Sequence, residues 1–472
     1  MRHLSSWRLA IAALLVGQRL TGQRRPDLAV VHAAVLDVRT GVVGRDRTVL
    51  VRDGVIVSVA PSAKRQPDAR RVVDARGRLL TPGLIDAHFH MCSIYRPACT
   101  NPRDGTLRLS MSPDSIRSYQ RYMASLYLPY GVTAVRDVGS EERVMPMLLA
   151  WMKRIPGAPD YYPVGADLIS PDPDHIPAPW QVEVGDSAAA AAKVREYYAL
   201  GIRNIKLYWR LREPAFKGGL LEARRLGMNV TAHVDFNVVG ADRALALGLR
   251  NFEHVLAWLP LALPQRVVDS VYRDVAGRIR TADGQLPGFF YLAVPEEWNA
   301  VGANNPRLAD FIGRLKQADA SVTPTLHVFA QRLGLTWFTS PARDPNEDAS
   351  RFSNSDRARA IAGYRIMAAY VKRLHDAGVR LNVGTDTPDP GKSVLSEMLL
   401  LYDAGIPMPD VFRIATLETA SGIGHGSDLG AIEPGRRANM ILFSGSPLTR
   451  SRDLLGPKLV IKDGAEVGPN VP

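Results

Sequence analysis

Cysteine is nearly absent from this chain of 472 residues, which has only Cys92 and Cys99. One pair seven apart can build neither a disulfide-stapled miniature fold nor a zinc ribbon. Two readings stay open for it: a local disulfide if the protein is exported, or two free thiols. Long apolar runs are missing as well, and no stretch is long and apolar enough to cross a bilayer. Neither Gly218-Gly219 nor Gly422-Ile423-Gly424-His425-Gly426 has the spacing of a phosphate loop. A G-x-S-x-G elbow is lacking, which argues against a serine hydrolase. Acidic residues are outnumbered, 47 against 59 lysines and arginines, for a net charge of +12. The arginines are scattered, without a basic block or an aromatic-interleaved stripe, so a solvated surface is expected and a nucleic-acid partner is not.

What is present begins with Leu84-Ile85-Asp86-Ala87-His88-Phe89-His90. Side chains two apart on a strand share a face, so His88 and His90 emerge together where an apolar strand ends. Two imidazoles converging on one point form a partial site for a divalent metal. Further candidates close later apolar runs: Lys206 after Asn204-Ile205, His233 after Val230-Thr231-Ala232, His254 after Phe252-Glu253, and Asp386 after Val383-Gly384-Thr385. Strands are expected near 84–89, 132–138, 162–167, 203–208, 228–233, 250–254, 321–326 and 379–385. Helical stretches lie between them, among them 188–196 and 360–377. Alternating strands and helices imply a parallel sheet in an α/β fold, with functional groups at the strand C-termini.

These motifs, with Gly131-Val132-Thr133-Ala134-Val135-Arg136-Asp137 and Leu429-Gly430-Ala431-Ile432-Glu433-Pro434-Gly435, resemble the amidohydrolase superfamily, in particular its prolidase-like and imidazolonepropionase-like branch. The likeness runs from about 27 to 463 and is weakest over 256–319 and 328–359, which are longer than the pattern needs. It implies a (β/α)8 TIM barrel over 83–427, inserted into a small β-sandwich formed from 27–82 plus 428–472. The sequence supports the small sheet independently, through short β-rich runs near 28–37, 48–51, 55–59, 72–80, 438–443 and 459–464, with an Asp53-Gly54 hairpin turn.

The resemblance also implies a metal-dependent hydrolase acting on a carbon–nitrogen bond, in a dipeptide, an N-acyl amino acid or a cyclic amide. A lactonase or esterase on the same site, and a catalytically silent scaffold, are the alternatives. His88 and His90 are assigned to a more buried ion, His233 and His254 to a more exposed one, and Asp386 to the buried ion and to proton transfer. Two ions are expected, zinc by the ligand types, with manganese, cobalt or iron as alternatives. A lysine cannot ligate a cation as an ammonium, so Lys206 is expected as a carbamate bridging the two ions. Tyr208, two residues on, is a candidate donor to a developing oxyanion.

Residues 1–26 read as a signal-peptide-like or disordered segment. Met1-Arg2-His3 and Trp7-Arg8 precede the short apolar run Leu9-Ala10-Ile11-Ala12-Ala13-Leu14-Leu15-Val16. A secreted or periplasmic location is expected, a cytoplasmic one being the alternative, with a small-molecule substrate and no stable membrane association after processing. Arg136 and Asp137 read as an orienting ion pair beneath the site. His175 and His327 sit where substrate loops are expected, and His3, His32, His375 and His425 fit no constellation. Asn439 stands where the family pattern is usually acidic.

Overall fold

The computed structural model describes residues 25–95, 99–101, 105–155, 157–234, 238–340 and 347–467. The expected leader segment lies outside the described residues, apart from its last two positions.

Strands from both ends of the chain share one eight-stranded sheet. Its order is Ala465–Val467, Lys458–Lys462, Met440–Phe443, Leu79–Pro82, Leu28–Leu36, Val43–Arg52 and Val55–Pro61, with Arg71–Asp74 also paired to Leu28–Leu36. Asp53 and Gly54 both take left-handed backbone, φ 51° and 74°, as a tight hairpin turn between right-twisted strands requires. The single run expected over 72–80 is instead two strands, split by a turn in which Arg76 and Gly77 have φ of 51° and 75°.

The remaining strands are parallel and form two sheets. Leu84–Phe89, Val132–Asp137 and Asp160–Pro163 make one. The other runs Gln181–Glu183, Asp167–Ile169, Asn204–Leu207, Asn229–Ala232, Asn251–Glu253, Ser321–Thr323 and Arg380–Leu381. The third expected strand is thus broken in two: Asp160–Pro163 pairs with one sheet, Asp167–Ile169 with the other, and Gly165 turns the chain between them at φ 84°. Beyond the last short strand the chain joins the first. Ala87 N donates to Val383 O at 2.8 Å, and Thr385 N and Asp386 N donate to His88 O at 3.0 and 2.8 Å. This close approach needs Gly384, where a Cβ would lie 2.5 Å from Thr323 Cγ2 and 2.6 Å from His88 Cβ.

Helices Ser187–Ala199 and Asn354–Asp376 match the two expected helical stretches, capped by Asp186 and Ser353. The long segment after His254 is helical as well, with Gln265–Ile279, Phe289–Val301 and Pro306–Gln317. Tyr291 of the second packs against Phe329, in the helix that begins at His327. Cys92 and Cys99 are joined as a disulfide directly beyond the His88–His90 strand. The two sheet systems meet around Asp160, which is buried and receives Arg437 Nη1 at 2.8 Å, Asn439 Nδ2 at 3.1 Å and Lys462 Nζ at 3.2 Å. Asn439 is therefore a donor at this junction, where an acidic side chain would face Asp160 with like charge.

Candidate metal centre

His88 is the penultimate residue of Leu84–Phe89 and fully buried, and His90, directly after the strand, presents its ring on the same side. Lys206 is the penultimate residue of Asn204–Leu207 and His233 directly follows Asn229–Ala232, neighbouring strands whose register pairs Lys206 with Thr231. His254 and Asp386 reach the same place by a different route. Both are non-glycine residues with left-handed backbone, φ 59° and 50°. Thr325, beside His254, shares this conformation at φ 53°. Such conformations are costly and cluster at functional sites.

The rings converge. His88 and His254 have centroids 4.6 Å apart, His233 and His254 4.7 Å, and His88 and His90 5.6 Å. The Asp386 carboxylate faces three Nε2 atoms, at 3.5 Å from His90, 3.7 Å from His88 and 3.8 Å from His254. Donors sharing one ion through bonds of roughly 2 Å stand about this far apart. His88, His90 and Asp386 offer one ligand atom each within a single 4.8 Å cluster.

Three imidazoles are oriented through Nδ1. His88 Nδ1 donates to Glu253 Oε2 at 2.7 Å, and His90 Nδ1 to the Gly139 carbonyl at 3.1 Å. His254 Nδ1 lies 2.8 Å from Thr325 Oγ1, whose own hydrogen goes to Pro324 O, so this nitrogen donates too. All three therefore keep an Nε2 lone pair toward Asp386, the arrangement a metal-binding histidine needs. Burial holds the rings neutral: it pushes His88 and His254 down and His233 to about 3, with Lys206 adding to the effect. Asp386 keeps 29% of its side chain exposed and His90 20%, so the centre opens to solvent on their side.

Lys206 is fully buried, and its Nζ has no hydrogen-bond partner among the described residues. An orphaned buried donor among neutral imidazoles and a carboxylate is a donor set that fits divalent ions once the lysine carries negative charge. Tyr208 lies against this group: its ring meets His233 edge-on at 5.4 Å and stands 5.5 Å from Lys206 Nζ. Burial, with Asp167 and Asp386 adding, raises its pKa, so the hydroxyl stays protonated and able to donate.

Residues 347–467 match the model of the amidohydrolase family, a segment that contains Asp386 but none of the site histidines. Over 57 residues the chain is 49% identical to a dihydroorotase of Anaeromyxobacter sp. (strain K), covering 12% of this chain and 13% of that relative. Among solved structures it is similar to bottromycin amidohydrolase, with 24% identity and a TM-score of 0.64 over 93% of this chain and 86% of that one. It is also similar to a Xaa-Pro dipeptidase with bound methionine, with 17% identity and a TM-score of 0.62 over 93% and 99%. The chain resembles the amidohydrolases, prolidase-like members included, and has their fold.

Around this centre the structure corrects one sequence reading and adds two residues. Arg136 and Asp137 do not pair. As neighbours on a strand they face opposite ways: Arg136 Nη2 donates to Glu253 at 2.6 Å, whereas Asp137 accepts from Ser140, Tyr161 and the Met91 N–H. Glu253 is the first addition. It takes His88, Arg136 and Thr231 together, and although burial opposes it, His88 and Arg136 hold its carboxyl well below the usual range. Asp167 is the second, buried beside Lys206 with neither oxygen hydrogen-bonded among the described residues.

Among the described residues, the contacts of the other histidines lie outside this cluster. His175 bonds Gln181 at 2.9 Å near Trp209. His327 is buried and stacked on Phe338. His32 pairs with Asp46, His375 with Asp376 and Asp410, and His425 with Asp428. His3 lies outside the described residues.

Proposed function

We propose that the chain is a metal-dependent hydrolase that cuts a carbon–nitrogen bond in a small molecule, and that its parallel strands close as a (β/α)8 barrel over 83–427, beside a small domain from 27–82 and 428–472. One observation carries the reading: imidazoles with Nδ1 anchored turn their Nε2 lone pairs onto one partly exposed carboxylate. The names of the structural relatives, an amidohydrolase and a dipeptidase, support amide or dipeptide substrates.

His88, His90 and Asp386 would hold one ion, and His233 and His254 a second, with the Lys206 carbamate shared between them. The carbamate forms when the Lys206 amine adds carbon dioxide, making an N–C bond and releasing one proton. Bound divalent ions of the zinc type supply Lewis acidity, polarising a carbonyl and lowering the pKa of water toward ~7. Asp386, partly exposed to solvent beside His88, His90 and His254, takes the proton that water loses and returns it to the departing amine. Tyr208 stays protonated and donates to the oxygen that gains charge.

The test is elemental analysis of the purified protein joined to a panel of dipeptides, N-acyl amino acids, cyclic amides and lactones. Two ions per chain with amide turnover are expected, and Tyr208→Phe should lower kcat with metal content unchanged. Metal-free protein that binds no added zinc, or turnover of lactones alone, would sink the reading.

A further inference from the structure

Buried carboxyl groups near the centre are saturated with donors, with one exception. Asp86 accepts from His88 N, Thr385 N and Thr385 Oγ1 at 3.1, 3.2 and 2.8 Å. Asp137 and Glu253 each take several donors. Asp167, fully buried, takes none among the described residues. Its strand lies parallel to that of Lys206 with Leu168 opposite Leu207, which sets Asp167 beside Lys206 and on the same face. The Lys206 Nζ is orphaned too. Two adjacent buried polar groups left unpaired are unfavourable unless something satisfies them.

We propose that Asp167 is a positioning residue for Lys206, a carboxyl oxygen accepting the Nζ–H so that the head of Lys206 is held at the metal centre. This rests on Lys206 belonging to that centre. The two groups are not bonded as the chain stands; the bond forms when Lys206 takes its place there. Carbamylation consumes one N–H, whose proton is released, and leaves one on Nζ. An acceptor on that remaining N–H leaves both carbamate oxygens free for the ions. The packing keeps Asp167 where this requires. A Cβ at Gly139 would lie 2.7 Å from Asp167 Oδ1, so the carboxyl occupies the room a side chain there would need. The Gly139 carbonyl is also the acceptor for His90 Nδ1, so Asp167 is wedged between Lys206 and the anchor of His90.

The experiment compares Asp167→Leu, which keeps the shape but offers no acceptor, with Asp167→Asn, which keeps a carbonyl oxygen. Each full-length protein is loaded with zinc in bicarbonate. Native mass spectrometry reads the carbon dioxide adduct at Lys206, and chelator competition reads zinc affinity. Asp167→Leu should lose the adduct and bind zinc about 10–100-fold more weakly, the usual effect of losing a group that orients a ligand. Asp167→Asn should retain both. An intact adduct and affinity in Asp167→Leu, or equal losses in the two variants, would overturn the proposal. Should the leucine variant not fold, Asp167→Ala takes its place. If the unaltered protein carries no adduct, the carbamate reading falls by itself. The positioning role is then judged on zinc affinity: a tenfold gap between leucine and asparagine upholds it, and equal affinity overturns it.

Discussion

Glu253 is charged, wholly buried and shared by His88, Arg136 and Thr231. It fixes the tautomer of His88 and neutralises Arg136, itself fully buried. Glu253→Gln should leave the guanidinium without its counter-charge and loosen His88. Zinc affinity is expected to fall ~10–100-fold by chelator competition. Urea unfolding is expected to show a loss of about 3–5 kcal/mol. A variant within twofold of the parent in affinity would contradict this role. The candidate ligands are legible in the chain because each lies at the end of an apolar run; strand alternation sets the direction of His88 and His90, and left-handed backbone that of His254 and Asp386. Glu253 is not, since alternation assigns it to the face opposite His254. The left-handed backbone at His254 turns both inward, and nothing in residue type announces that. Asp167 escapes for a simpler reason: it opens its run, Leu168-Ile169, instead of closing it.

Among the elements, the helix His327–Leu333 begins without a side-chain cap of its own. Glu397, from the helix Lys392–Asp403, supplies one across the fold, accepting Leu326 N at 2.9 Å and His327 N at 2.7 Å. Burial nevertheless raises the Glu397 pKa to about 8. An acid whose folded pKa lies above its unfolded value holds its extra proton in the native state. The stability this contributes is present below ~4.5 and is lost as pH rises through about 8. The unfolding free energy of the parent, read by urea titration at each pH, should therefore fall relative to Glu397→Gln between pH 5 and 8, by at most roughly 1.4 kcal/mol per pH unit. Parallel curves for the two proteins would count against it. Strand positions were readable to within a few residues wherever periodicity ran unbroken, as over Leu84–Phe89. The third strand was misplaced because its two halves bond to different neighbours, a tertiary matter marked only by Gly165.

For the whole molecule, the decisive contact is the buried cluster that ties the terminal sheet to the parallel strands. Lys462 is fully buried and meets Asp160 and Asp463, while Arg437 and Asn439 also converge on Asp160. Asp160 opens its strand, at the end away from the metal centre. Asp160→Ala should lower the unfolding free energy by about 3 kcal/mol, the scale of a buried charge losing its partner. Zinc stoichiometry should not change. A loss under 1 kcal/mol, or a loss of metal, would show that the two sheet systems are joined otherwise.

The pairing of Met440–Phe443 with Leu79–Pro82 has a consequence in time. The ribosome finishes one partner early and the other only after every parallel strand has been made. Throughout that interval Leu79–Pro82 waits with an open flank, the sort of edge that invites stray strands from other chains. A nascent chain truncated before 440 would carry that vulnerability permanently.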